Sequence, residues 1–300
     1  MSIPRERPLA DAAFADGWTA LNHAFPTLAE HVSFSPFYVC PLCLHAFGRD
    51  AIQHRVLTFD HVPPRSVGGK RLVLTCKKCN STAGHAVDAH VGRESDFVEF
   101  MSRGTVTNRR ATLTTPVGTI PVRLSTAAGG ITVAGVPTAN PQAHRTFFTD
   151  FERIAGGGNW GDFTFQVGFE PFSEPRAALS WLRSAYLMFF AVFGYRFIFR
   201  PEIEAIRLKI LRADIDAEPT RFRMVQPAPS PPTLARIEEP VEARCYAMLY
   251  RHNVVFLPKH GDATLYERLL LMKKGAVISG MQYEWPRRPR YAADIAANPT

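Results

Sequence analysis

Four cysteines are the residues of this chain whose type and spacing most plainly do chemistry. Cys40 and Cys43 form one Cys-x-x-Cys turn, and Cys76 and Cys79 form a second. Each turn lets two thiolates reach one ion, and two turns supply the four sulfurs of a closed tetrahedral zinc site. Two disulfides are the competing use of such pairs. The chain carries a net charge of +8, and its N-terminal text has no apolar core of signal-peptide length. It is therefore expected in the cytoplasm, a reducing compartment where paired cysteines mean metal. Between the two turns lies the dipeptide Asp60-His61, and Asn80 follows Cys79 directly.

Several elements must position these residues. Arg55-Val56-Leu57-Thr58-Phe59 has strand composition. Pro63-Pro64 must end that strand, because neither residue can donate to a ladder. In a regular strand Asp60 and His61 point to opposite faces, so one site uses both only if the chain turns there. The prolines supply that turn. Gly68-Gly69 marks a loop, and Arg71-Leu72-Val73-Leu74 reads as the returning strand. A helix is expected to begin at Asn80-Ser81-Thr82. The unit is strand, loop, strand, helix, with the zinc clamp holding its ends.

Asp-His, then Pro and Gly-Gly, then Cys-x-x-Cys-Asn resembles the HNH (ββα-metal) endonucleases. The branch it is most similar to carries a four-cysteine zinc clamp and Asn as its last site residue. The likeness spans residues 37–92. It implies that His61 is the general base for an attacking water, and that Asp60 and Asn80 hold one divalent ion, Mg²⁺ or Mn²⁺. It also implies products with a 5′-phosphate and a 3′-hydroxyl, and a bacterial defence or mobile-element setting. Arg71 stands where the family has its middle Asn. Asn80 must serve where no His occupies the last metal position. His85 lies about 140° from Asn80 on an ideal helix and Asp88 about 80°, so Asp88 is the better supporting residue.

Arg65, Lys70, Arg71, Lys77 and Lys78 crowd this short unit. They form either a solvated surface or a clamp for phosphates, and their position around the motif favours the clamp. The whole chain has 35 Lys+Arg against 27 Asp+Glu, which favours a polyanionic partner. DNA is the expected substrate, with RNA left open. A homodimer cutting two strands and a nicking monomer are equally compatible. A zinc module that binds nucleic acid or protein without cutting is the competing reading.

The fold class expected is α+β in three parts: a helical segment at 1–36, the nuclease domain at 37–103, and a mixed domain at 104–300 for regulation, docking or substrate selection. Residues 111–115, 119–125 and 131–136 read as a β-meander, residues 140–154 as a helix and 162–169 as a strand. Residues 174–193 are the strongest helix, apolar on most faces and expected at the centre of the last domain. The chain's most apolar stretch, residues 185–195, is too short for a bilayer, so no membrane is expected. Residues 226–233 read as a Pro-rich connector, residues 244–258 as a hairpin, and 286–291 as a basic tail. Cys245 reads as a buried apolar residue.

Overall fold

A computed structural model of the chain describes residues 6–27, 35–116, 118–127, 130–136, 141–157, 164–215, 221–223, 232–259, 264–272 and 278–291. Its contacts form two units, one made of Met1–Gly92 with Ser173–Thr300 and the other of Arg93–Phe172. These boundaries run differently from the linear division into 1–36, 37–103 and 104–300.

The first unit opens with helix α1 (Glu6–Ala24), which buries Phe14 and Leu21. Strands β1 (Phe37–Val39) and β2 (Ala46–Gly48) pair antiparallel around the first cysteine turn. A short helix α2 (Asp50–Gln53) leads to β3 (Leu57–Val62) and β4 (Lys70–Cys76), an antiparallel pair. The connecting loop depends on two glycines. Gly68 sits at φ +89°, which side chains avoid, and a Cβ on Gly69 would lie 1.5 Å from the Pro63 carbonyl oxygen.

Helix α3 (Lys77–Ala83) starts three residues earlier than expected from Asn80-Ser81-Thr82. The reason is its cap: Cys76 is extended, and its sulfur accepts from the Cys79 N–H at 3.5 Å. Sulfur does here what a Ser or Asp oxygen does at other N-termini. A π-helical turn (Gly84–Asp88) joins α3 to α4 (Ala89–Arg103).

In the second unit, β5 (Arg109–Thr115), β6 (Gly118–Ala127) and β7 (Gly130–Gly135) form the expected meander. Strand β8 (Thr164–Val167) pairs with the free edge of β5. Helix α5 (Pro141–Gly156) brings Phe147 into a core with Leu113, Val122 and Leu124. Asn140 and Phe163, expected as a cap and a strand residue, lie outside the described residues.

Helix α6 (Glu174–Phe193) has the bounds its pattern gives. Ser173 caps it by accepting from the Arg176 N–H, and Gly194 follows its last residue. It does not centre a separate C-terminal domain. It belongs to the first unit and shares one core with the strand residues Leu57, Leu72 and Leu74. A helix apolar all round must be covered all round, and β3 and β4 supply part of that cover. Helices α7 (Tyr195–Ile198) and α8 (Pro201–Arg212) follow, the latter burying Ile203, Ile206 and Ile210.

An antiparallel sheet completes the unit: β9 (Arg221–Arg223), β10 (Thr233–Glu239), β11 (Cys245–Tyr250), β12 (Asn253–Pro258) and, after helix α9 (Leu265–Leu271), β13 (Ser279–Tyr283), in the order β13-β10-β11-β12-β9. The hairpin β11–β12 is the one expected. Residues 224–231, most of the Pro-rich connector, lie outside the described residues. The basic segment at 286–291 is pinned rather than free: the Arg290 and Tyr291 N–H groups donate to the Ala191 carbonyl, and Tyr291 packs on Phe190. Among the described residues, no helix is long and apolar enough to cross a membrane.

Candidate active site

The two cysteine turns meet. The sulfurs of Cys40, Cys43, Cys76 and Cys79 all lie within 4.8 Å of one another, and those of Cys43 and Cys76 are 3.7 Å apart. A tetrahedral zinc with bonds of about 2.3 Å needs sulfurs about 3.8 Å apart, so the set fits that ion. Main-chain geometry prepares the sulfurs. The Cys76 N–H donates to the Cys40 sulfur at 3.4 Å, and the Leu44 N–H closes the first turn onto the Cys40 carbonyl at 2.9 Å. The thiols also hydrogen-bond one another. Cys40 thereby holds Cys43 down at about 4 and Cys76 at about 6, while its own thiol is driven up. Both shifts favour the thiolate form that a zinc ligand set requires. No disulfide links these cysteines. The fifth cysteine, Cys245, is fully buried, and burial pushes its thiol up to about 12.

Carbonyls around this clamp are satisfied from the far end of the first unit. Tyr195 donates to the Val39 carbonyl at 2.7 Å and Tyr186 to that of Pro41 at 2.5 Å. Arg207 donates to the Leu42 carbonyl at 2.7 Å. Tyr250 donates to that of Val67, in the loop between β3 and β4, at 2.7 Å. Without these donors, buried carbonyls would go unpaired at a cost of about 1–3 kcal/mol each.

Asp60 and His61 part company on β3. The pairing slips between them: Asp60 lies opposite Val73, and His61 opposite Arg71. Asp60 is buried at 2% exposure, whereas His61 is half-buried. Among the described residues, no side chain hydrogen-bonds the His61 ring. Burial lowers its pKa below the ordinary histidine value. Arg71, Arg65 and Lys70 lower it further, and Asp60 pulls the other way. These three exposed cations therefore share a neighbourhood with His61. Lys77 and Lys78 are exposed as well. They line a cavity of about 560 Å³ beside Cys43, Cys76 and Cys79.

Asn80, on α3, donates its amide N–H₂ to Thr58 Oγ1 at 3.2 Å and to the Phe59 carbonyl at 3.1 Å. It thus ties the helix to β3 next to Asp60. His85 is exposed.

Two residues that the sequence did not mark as functional complete the site. Arg183, from the middle of α6, is 1% exposed and pairs with the Asp60 carboxylate. Thr75 donates to the same oxygen at 3.1 Å. The other side of the Arg183 guanidinium faces Asp88 at 3.5 Å, and Ser180 holds Asp88 with a 2.6 Å hydrogen bond. Burial raises the Asp60 carboxyl above its ordinary value, against the pull of Arg183. Arg183 stays charged because Asp60 and Asp88 together outweigh its burial. A divalent ion on Asp60 does not fit beside that guanidinium. Two cations would crowd one carboxylate in a setting where water screens neither. Among the described residues, the four sulfurs form the one group of three or more His, Cys, Asp or Glu side chains that could hold a metal ion.

No curated protein and no solved structure matches the chain. Residues 40–96, which hold the clamp, the Asp-His dipeptide and Asn80, match the model of a family described as HNH endonuclease. The mixed helix-and-strand chain carries an N-terminal HNH domain, with its four-cysteine cluster formed and a nucleic acid implied as substrate.

Proposed function

We propose that the chain is a DNA endonuclease in which His61 is the general base. The observation that carries this reading is the half-buried imidazole amid Arg65, Lys70 and Arg71, inside the segment that matches the HNH endonuclease family. A lowered pKa keeps the ring neutral at physiological pH. It can then take a proton from water as the oxygen attacks phosphorus and the bond to the 3′ oxygen breaks, that oxygen taking a proton from solvent to leave as a hydroxyl. The three cations hold the phosphate and offset its developing charge. Zinc on the four cysteines fixes the scaffold and takes no part in the chemistry. Asn80 braces β3 against α3.

Cleavage of supercoiled plasmid by zinc-loaded protein, with Mg²⁺ or Mn²⁺ added, tests this. His61→Ala is expected to lose about 10²–10⁴-fold in rate. Equal cutting by both proteins would end the reading. The guanidinium on Asp60 favours a second reading, a zinc-clamped module that binds nucleic acid without cutting. Gel shifts without cleavage across metals and substrates would select it.

A further inference from the structure

The family likeness gives Asp60 to a divalent ion, yet in this chain a side chain already stands there. Arg183 comes from α6, whose residues from Leu179 to Phe193 are all buried. It reaches Asp60 on β3 and Asp88 at the end of the π-helical turn, and Thr75 and Ser180 orient the two carboxylates. The turn matters, because it departs from the α-helical spacing between Asn80 and Asp88 just before Asp88 meets the guanidinium. One positive charge thus joins three elements at the residue beside His61. The helix that carries it has no exposed flank in that stretch on which to withdraw.

We propose that Arg183 takes the place of the divalent ion at Asp60. Asp60 is then a positioning residue that fixes β3 beside His61, and is not a metal ligand. The proposal rests on the reading of His61 as the base. It assigns the charge on the scissile phosphate to Arg65, Lys70 and Arg71, which are exposed, and not to Arg183, which no substrate can touch.

The test is Mn²⁺ binding to the full-length, zinc-loaded protein, followed by electron paramagnetic resonance, in wild type and in Asp60→Asn. Loss of a true ligand weakens binding at least as much as loss of a ligand's outer partner, about 10-fold or more. The expected result is a smaller change than that, with or without a Mn²⁺ site elsewhere. A weakening of about 10-fold or more would overturn the proposal. A second measurement needs no variant. In wild type labelled with ¹⁵N-arginine, the Arg183 side-chain resonance is expected to stay sharp as Mn²⁺ is added, and selective broadening of that resonance would overturn the proposal. Mn²⁺ seated at Asp60 in a protein that cuts DNA would remove the role of Arg183 alone. The nuclease reading stands or falls separately, on His61→Ala.

Discussion

A general base must shed its own proton before it can accept one from water. Burial and the neighbouring Arg71, Arg65 and Lys70 favour the neutral ring of His61, so its pKa falls below the ordinary value of about 6.5. The active form grows as pH rises through the lowered pKa and is complete above it. The cleavage rate is therefore expected to climb with pH, to reach its half-maximum below pH about 6.5 and to level off above that, and a pH–rate profile checks this. The same cations should bind phosphate. Alanine at Arg65, Lys70 or Arg71 is expected to weaken DNA binding and to flatten the log–log salt dependence by about 0.9 per lost contact. Lys77→Ala and Lys78→Ala should change that slope less, since both side chains line the cavity beside the cysteines. Affinity measured across salt concentrations separates the two groups. At this scale the sequence was legible where partners are close in the chain: both cysteine turns, Asp60-His61 and Asn80 stand out by spacing. Arg183 was not legible. Its partner Asp60 is 123 residues away, and an arginine in an apolar helix carries no mark of the carboxylate it meets.

The clamp ties β4 and α3 to the turn between β1 and β2, so metal and local fold should be lost together. Structural zinc in small sites contributes about 10–16 kcal/mol of folding free energy. Cys79→Ser, or a strong chelator, is expected to release zinc and lower the melting temperature. Zinc content by mass spectrometry and melting by circular dichroism check both. Cys245→Ser is the control, expected to keep its zinc because that thiol lies in a different apolar cluster. The elements themselves were largely readable. Alternation gave the meander, Gly68-Gly69 gave the loop, and the all-round apolar pattern gave α6 with its ends. The start of α3 was misread, because Cys76 acts as a cap and a thiol is not among the usual capping residues. The π-helical turn was missed as well, since ideal helical spacing assumes no inserted residue.

At the scale of the molecule, the nuclease strands and the C-terminal elements fold as one unit, with Arg93–Phe172 as the other. The expected division at residues 103–104 falls inside the second of these units. The contacts of Tyr186, Tyr195, Arg207 and Tyr250 with the clamp and the loop after β3 run between chain segments, and no local pattern shows them. A chain ended at residue 103 would lose these donors and the apolar cover of β3 and β4. It is expected to be insoluble or unfolded, as solubility and circular dichroism would show. Deleting the C-terminal half is therefore not a clean test of regulation. The central claim is that His61 performs hydrolysis within a zinc-clamped scaffold. Initial rates of plasmid nicking, with wild type and His61→Ala matched for zinc content and melting temperature, test it most directly. A fall of about 10²–10⁴-fold is the result expected, and equal rates, or no nicking by the wild type on any DNA form, would contradict the account.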